Sequence, residues 1–199
     1  MFVRPADKTV SYVIKPALFI LCLVPFALLV VGLVNDSLGT NPVERITHET
    51  GDWTLRFLLI TLTITPFRRL TGSSWLIKLR RMFGLFTFFY ACLHFLTYIW
   101  FDHYFDWIEI VKDIPKRPFI TVGFIAFVLL IPLAATSTNS MMRRLKKNWV
   151  KLHKLVYVIA VLGVLHFLWL VKADTLEPLI YASILLVLLG YRAYLQRTG

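Results

Sequence analysis

Hydrophobic positions along this chain gather into six runs, at about 16–34, 53–67, 79–101, 118–136, 149–171 and 177–195, and the joints between them carry most of the charge. A membrane-spanning helix needs roughly 20 largely apolar residues, and every run except the second is about that long. The pattern predicts an all-α, integral membrane six-helix bundle that occupies residues 1–199 as a single domain. In the second run the charge-free stretch begins at Phe57 and meets Pro66. Trp53, Thr54 and Arg56 are therefore expected at the interface, with Arg56 snorkelling or turned into the bundle. A re-entrant or surface-lying helix is the alternative there. The first run follows Arg4, Lys8 and Lys15 as in a signal peptide, but it is long for such a segment, and no small-residue cleavage site appears in Asn35-Asp36-Ser37-Leu38. It is expected to persist as a first helix.

The joints decide the orientation. Fifteen Lys and Arg residues fall in the N-terminal segment, the second and fourth joints and the tail, among them Arg68, Arg69, Arg80, Arg81, Arg143 and Arg144. The other three joints hold five, Arg45, Lys112, Lys116, Arg117 and Lys172, together with ten of the eleven acids. Short basic joints stay on the cytoplasmic side, so the N and C termini are both expected in the cytoplasm, in a bacterial inner membrane. The formal charge of +11 thus reads as topology and not as a nucleic-acid surface, which would need a basic face on a soluble scaffold.

Composition agrees: 58% of residues are hydrophobic and 15% aromatic, which removes the soluble globular classes. Cys22 and Cys92 sit inside apolar runs and are expected to behave as small hydrophobes. In the first outer joint, Asn41-Pro42-Val43-Glu44 has a cap, a proline at the first helical position and an acid in the first turn. It predicts a short surface helix ending near Gly51. No internal repeat, low-complexity run or glycine-rich phosphate loop stands out, which argues against an attached nucleotide domain.

Three histidines, His94, His153 and His166, fall within predicted spans, where ionisable side chains are functional candidates by default. Imidazole is a haem axial ligand, and a pair on facing helices is how a bundle holds a planar cofactor. At about 1.5 Å per residue, His94 lies roughly 22 Å up its span and His166 roughly 25 Å up its own, whereas His153 is only about 6 Å up. His94 and His166 are therefore expected to hold one b-type haem. Phe86, Phe88, Phe89, Tyr90, Phe95, Tyr98 and Trp100, with Phe167 and Trp169, are expected to wall it.

His153 has no histidine of the third span at its level, and on a straight helix it would point about 220° away from His166. It is either a ligand of a second, inner haem, needing another helix wall or a helix distortion such as one near Gly163, or an interfacial histidine in a basic, quinone- or lipid-facing site. His48 and His103, in outer joints, are expected to be solvated.

The chain resembles the MsrQ family, haem-binding membrane subunits of periplasmic methionine sulfoxide reductase systems, within the ferric-reductase-like transmembrane superfamily. The resemblance is carried by Gly39-x-Asn41-Pro42-Val43 with Ile46, His48, Thr50 and Gly51, by Ile64-Thr65-Pro66, and by Arg80-Arg81-x-x-Gly84-Leu85 ahead of His94. Thr136-Ser137-Thr138 and Trp149-x-x-Leu152-His153-x-x-x-Tyr157 with His166 complete it. It implies haem iron on His94, His153 and His166, one or two haems, and bound FMN with no residue assigned to it. Electrons would enter from the quinol pool or a cytoplasmic flavin reductase and leave to a soluble periplasmic molybdopterin enzyme that reduces methionine sulfoxide in oxidised proteins. The superfamily commonly uses two histidine pairs spaced fourteen apart; here there are three such histidines, and the one same-helix pair is spaced thirteen apart.

Without a nucleophile–base pair, carboxylate pair or zinc spacing beside these histidines, the chemistry would be the cofactor's. A self-contained ferric or quinone reductase would need flavin and nicotinamide domains for which the tail leaves no room. The non-redox alternative is a small transporter or assembly factor with packing or proton-relay histidines, which repeat symmetry or broken helices would favour.

Overall fold

A computed structural model describes residues 7–171 and 175–198. Arg4 and Lys172 of the charge pattern lie outside the described residues. Helices make up nearly all of the rest, with no strand among the described residues. Five helices are long and apolar enough to cross a membrane: Val10–Val34, Ser74–Asp102, Pro118–Ala135, Lys147–Leu170 and Leu176–Leu195. They correspond to the first and the third to sixth hydrophobic runs. Two compact units divide the chain, Met1–Tyr104 and Phe105–Gly199.

The first unit contains α1 (Lys15–Val34), α2 (Pro42–Thr71) and α3 (Ile77–Thr97). The second run lies within α2. The helix starts as the sequence indicates: Asn41 Oδ1 accepts the Glu44 N–H at 3.2 Å and Pro42 occupies the first turn. It does not stop near Gly51, contrary to the expected short surface helix, but continues to Thr71 and ends on Gly72 at φ 68°. An interior glycine costs a helix only about 1 kcal/mol, whereas the left-handed conformation after Thr71 is one that glycine adopts at no steric cost.

α2 is less apolar than the other long helices because it carries Glu44, Arg45, Glu49, Asp52, Arg56, Arg68 and Arg69 besides many threonines, and the threonine hydroxyls turn back to its own backbone. Thr50, Thr54, Thr61 and Thr63 donate to the carbonyls of Ile46, Thr50, Phe57 and Leu59 at 2.7–2.9 Å. Its wall of Leu55, Phe57, Leu58, Leu59, Leu62 and Ile64 is buried within the protein. Arg56 pairs with Asp52 of its own helix at 3.3 Å and lies over the Trp53 ring at 5.0 Å.

The second unit contains α4 (Trp107–Lys116), α5 (Pro118–Ala135), α6 (Asn139–Leu145), α7 (Lys147–His153), α8 (Leu155–Leu170) and α9 (Leu176–Thr198). α4 is amphipathic, capped by Asp106, and tied to the start of α5 by Arg117 Nε to buried Asp113 at 2.7 Å. α5 and α8 pack along each other, and α9 packs on α8. Thr136, Ser137 and Thr138 close one helix and open the next: the first two return their hydroxyls to Pro132 and Leu133, and Thr138 caps Met141. The fifth run is not one regular helix. Hydrogen bonding tightens to i→i+3 around Lys154, where Lys154 N–H reaches Lys151 O and Tyr157 N–H reaches Lys154 O. The distortion therefore falls beside His153, and α8 runs regularly through Gly163.

Candidate functional site: two imidazoles held against helix backbones

In the first unit α3 lays one stripe along α2. Phe83, Phe86 and Tyr90 stack among Trp53 and Phe57, with ring centroids 5.4–6.3 Å apart. Phe89 meets Phe26 edge-on at 5.6 Å. Most of the expected aromatic wall on α3 is thus interior packing of this unit, since wide apolar rings are the cheapest way to fill the space between helices. Of the rest, Trp100 and Trp169 are half exposed, Phe167 packs on Tyr181 at 5.9 Å, and Phe95 stacks with Tyr98.

His94 continues the α2-facing stripe one turn beyond Tyr90. Its Nδ1 lies 3.0 Å from the Thr47 carbonyl oxygen. Gly51, four residues after Thr47 and so directly beneath the same face of α2, leaves the ring against bare backbone. A π-helical turn, Tyr98–Asp102, follows at once, and Thr97 donates its hydroxyl to the His94 carbonyl at 2.7 Å.

In the second unit His166 on α8 faces α5 in the same way. Its Nδ1 is 2.7 Å from the Phe119 carbonyl oxygen, and Gly123, again four residues on, lies under the ring. Both histidines stand 47 residues beyond their carbonyl partners. Both also sit in the same tetrapeptide, Leu93-His94-Phe95-Leu96 and Leu165-His166-Phe167-Leu168. This is an internal repeat, contrary to the expectation of none. It escapes a search for similarity along the chain because only the glycine, the histidine and its neighbours recur while the intervening residues differ.

A carbonyl oxygen only accepts, so each Nδ1 carries the proton, and in the neutral form of the ring the lone pair is on Nε2. That is the state of a histidine prepared to ligate a metal, whose other ring nitrogen donates to a backbone carbonyl. Among the described residues no group of three or more His, Cys, Asp or Glu side chains could hold a bare metal ion. A haem, whose porphyrin supplies four of the ligands itself, is the metal group that isolated imidazoles of this tautomer fit.

His153 is held differently. Its Nδ1 is 3.1 Å from the Trp149 carbonyl oxygen of its own helix, its ring stacks on the Trp149 indole at 3.9 Å, and its Nε2 is buried. Trp149 is anchored in turn by its indole N–H to the Thr136 carbonyl at 3.0 Å. Three separate parts of the sequence resemblance, Thr136, Trp149 and His153, are thus one physical assembly. Tyr157, the last residue of that motif, lies under the Arg192 guanidinium at 4.6 Å. His48 is exposed; His103 is half-buried, edge-on to Tyr98 at 4.7 Å.

Residues 50–164 match the family model described as a ferric reductase like transmembrane component, a stretch that takes in Gly51, His94, Gly123 and His153. The chain is therefore a ferric-reductase-like transmembrane component. Curated relatives narrow this. The chain is 60% identical over 184 residues to the "Protein-methionine-sulfoxide reductase heme-binding subunit MsrQ" of Herminiimonas arsenicoxydans, covering 91% of this chain and 84% of that protein. It is 53% identical over 196 residues to the protein of that name from Xanthomonas campestris pv. campestris strain B100, covering 95% and 90%. The corresponding protein of Azospira oryzae is 51% identical over 194 residues, covering 96% and 83%. The chain belongs to the MsrQ family. No solved structure gives a significant match.

Proposed function

We propose that this protein is the transmembrane b-type cytochrome of a methionine sulfoxide reductase system, with His94 and His166 as the two axial ligands of one haem. Electrons enter from the quinol pool or a cytoplasmic flavin reductase and leave to a soluble periplasmic molybdopterin reductase that repairs oxidised proteins. The observation that carries this reading is the twin arrangement of His94 and His166, each with its Nδ1 proton tied to a helix carbonyl, so that Nε2 is the nitrogen that would ligate the iron. It is supported by the family, whose relatives are named as heme-binding subunits. In this reading α2 is the sixth span, both termini are cytoplasmic, and the whole chain works as one domain in the bacterial inner membrane. His153 is the ligand nearest the cytoplasmic side, for a second haem. FMN is a further cofactor in this reading, with no residue assigned to it.

Haem supplies the one-electron redox couple when bound. The chain's own residues do the rest. Thr47 and Phe119 fix the tautomer and ring orientation. Trp149 holds the His153 ring through its stack and its bond to Thr136.

A transporter would also show repeat symmetry, but its site is built from unwound helix segments. Here α2, α3, α5 and α8 run as unbroken α-helix through Gly51, His94, Gly123 and His166.

The test is a transfer assay. Purified protein is reduced without oxygen and mixed with the soluble reductase of its system and methionine sulfoxide. Its reduced visible bands should decay only when both are present; bands that persist with both present would contradict the proposal.

A further inference from the structure

We propose that Gly51 and Gly123 are positioning residues for the two imidazoles, acting by letting each ring reach a helix carbonyl that any other side chain would cover. This inference rests on the reading of His94 and His166 as haem ligands and adds to it what sets their geometry.

Within a helix, a carbonyl oxygen spends one lone pair on the N–H four residues on, and its second is open to a neighbour. Cα–Cβ bonds tilt toward the helix N-terminus. A Cβ at position i+4 therefore stands beside the carbonyl of residue i, where an incoming imidazole must lie. Glycine at i+4 removes it. The chain does this twice: Thr47 with Gly51 beneath His94, and Phe119 with Gly123 beneath His166.

The fit is close enough to be decisive. A Cβ on Gly51 would lie 3.1 Å from Cε1 and 3.2 Å from Nδ1 of His94. On Gly123 it would lie 2.7 Å from Nδ1, 2.9 Å from Cε1 and 3.1 Å from Cγ of His166, a clash with a rigid ring. Gly84, also within a helix of the first unit, has only Thr61 Cγ2 at 3.8 Å, an ordinary contact. Glycine is therefore not required at every helical position where it occurs. An alanine at Gly123 must push the imidazole off the backbone and lengthen its N–H···O bond, whereas at Gly51 the ring has to give by a few tenths of an ångström, which stretches the same bond less. That bond makes Nε2 a more basic ligand and fixes the ring's rotation; a more basic ligand favours the oxidised iron.

The experiment uses haem-loaded, detergent-purified protein and compares Gly51→Ala, Gly123→Ala and the control Gly84→Ala by haem content, low-spin electron paramagnetic resonance and redox titration. Weakened outer-shell support lowers metal retention by about 10- to 100-fold. We expect weaker haem retention in Gly51→Ala and Gly123→Ala, a shifted low-spin signal and a raised midpoint potential, with the larger effect at Gly123 and none in Gly84→Ala. Because Gly123→Ala could act by disturbing the fold, it is also placed in a His166→Ala background, where the space is open. There it should melt no lower than His166→Ala alone. A lower melting temperature in that background would make Gly123 a helix-packing residue and overturn the proposal. So would wild-type spectra and potentials in both single glycine variants while His94→Ala and His166→Ala lose haem. If the two histidine variants instead retain haem unchanged, it is the ligand assignment that fails.

Discussion

Tyr90 is the residue on which the first unit should depend most sharply. Pro25 lies inside α1 and has no N–H to return to the preceding turn, which bends a helix and loosens its ladder at that point. On the next rung the Tyr90 hydroxyl donates to the Cys22 carbonyl at 2.8 Å and accepts from the Phe26 N–H at 3.2 Å. Tyr90 is 0% exposed, so no water can take its place. Tyr90→Phe keeps the ring and its stacking on Phe57 but deletes both bonds. Each is worth about 0.5–1.5 kcal/mol net, and a buried group left without a partner costs about 1–3 kcal/mol. Because the helix can partly close its own rung, the expected loss is about 1–3 kcal/mol. Helical circular dichroism during denaturant titration in detergent measures it. In a Pro25→Ala background α1 regains its full ladder, so the same tyrosine substitution should cost less. The reasoning is refuted if Tyr90→Phe unfolds within about 0.5 kcal/mol of the parent, the range of an ordinary surface change, or if its cost is undiminished without Pro25.

Replacing His94 or His166 by alanine should each abolish the haem they are proposed to share, measured as haem per protein, while His153→Ala should leave that haem's signal in place. Trp149→Phe removes the indole bond to Thr136 but keeps a ring under His153; a loss of about 1 kcal/mol is expected, read as a lower melting temperature. Asp113→Ala removes a 2.7 Å pair whose carboxylate is buried and whose arginine is half exposed. It should cost about 1–2 kcal/mol and increase protease cutting at the junction of α4 and α5.

The helices that face lipid were legible in the sequence because hydropathy measures what a helix shows to its surroundings. α2 was read as two pieces, a short surface helix ending near Gly51 and a run over 53–67, for the same reason: it is buried against protein and saturates its hydroxyls within its own backbone, so Thr50 looks like a joint residue while forming helix. The N-cap at Asn41 was readable because capping is local chemistry. The distortion at Lys154 was not, since no proline or glycine marks it. For the site, the three histidines were visible as polar residues in apolar runs. The groups that hold two of them were not, because Thr47 and Phe119 contribute only backbone oxygens and Gly51 and Gly123 contribute only space. The repeated Leu-His-Phe-Leu with a glycine at fixed distance was the one available signal. Aromatic residues near His94 misled in the other direction, because Phe86 and Tyr90 serve the helix interface equally well.

The most direct test of the account is a reduced-minus-oxidised visible spectrum of the purified protein, produced with ample haem and with haem quantified against protein. The account predicts a six-coordinate b-type spectrum that disappears when His94 and His166 are replaced. A well-folded protein without haem would contradict it.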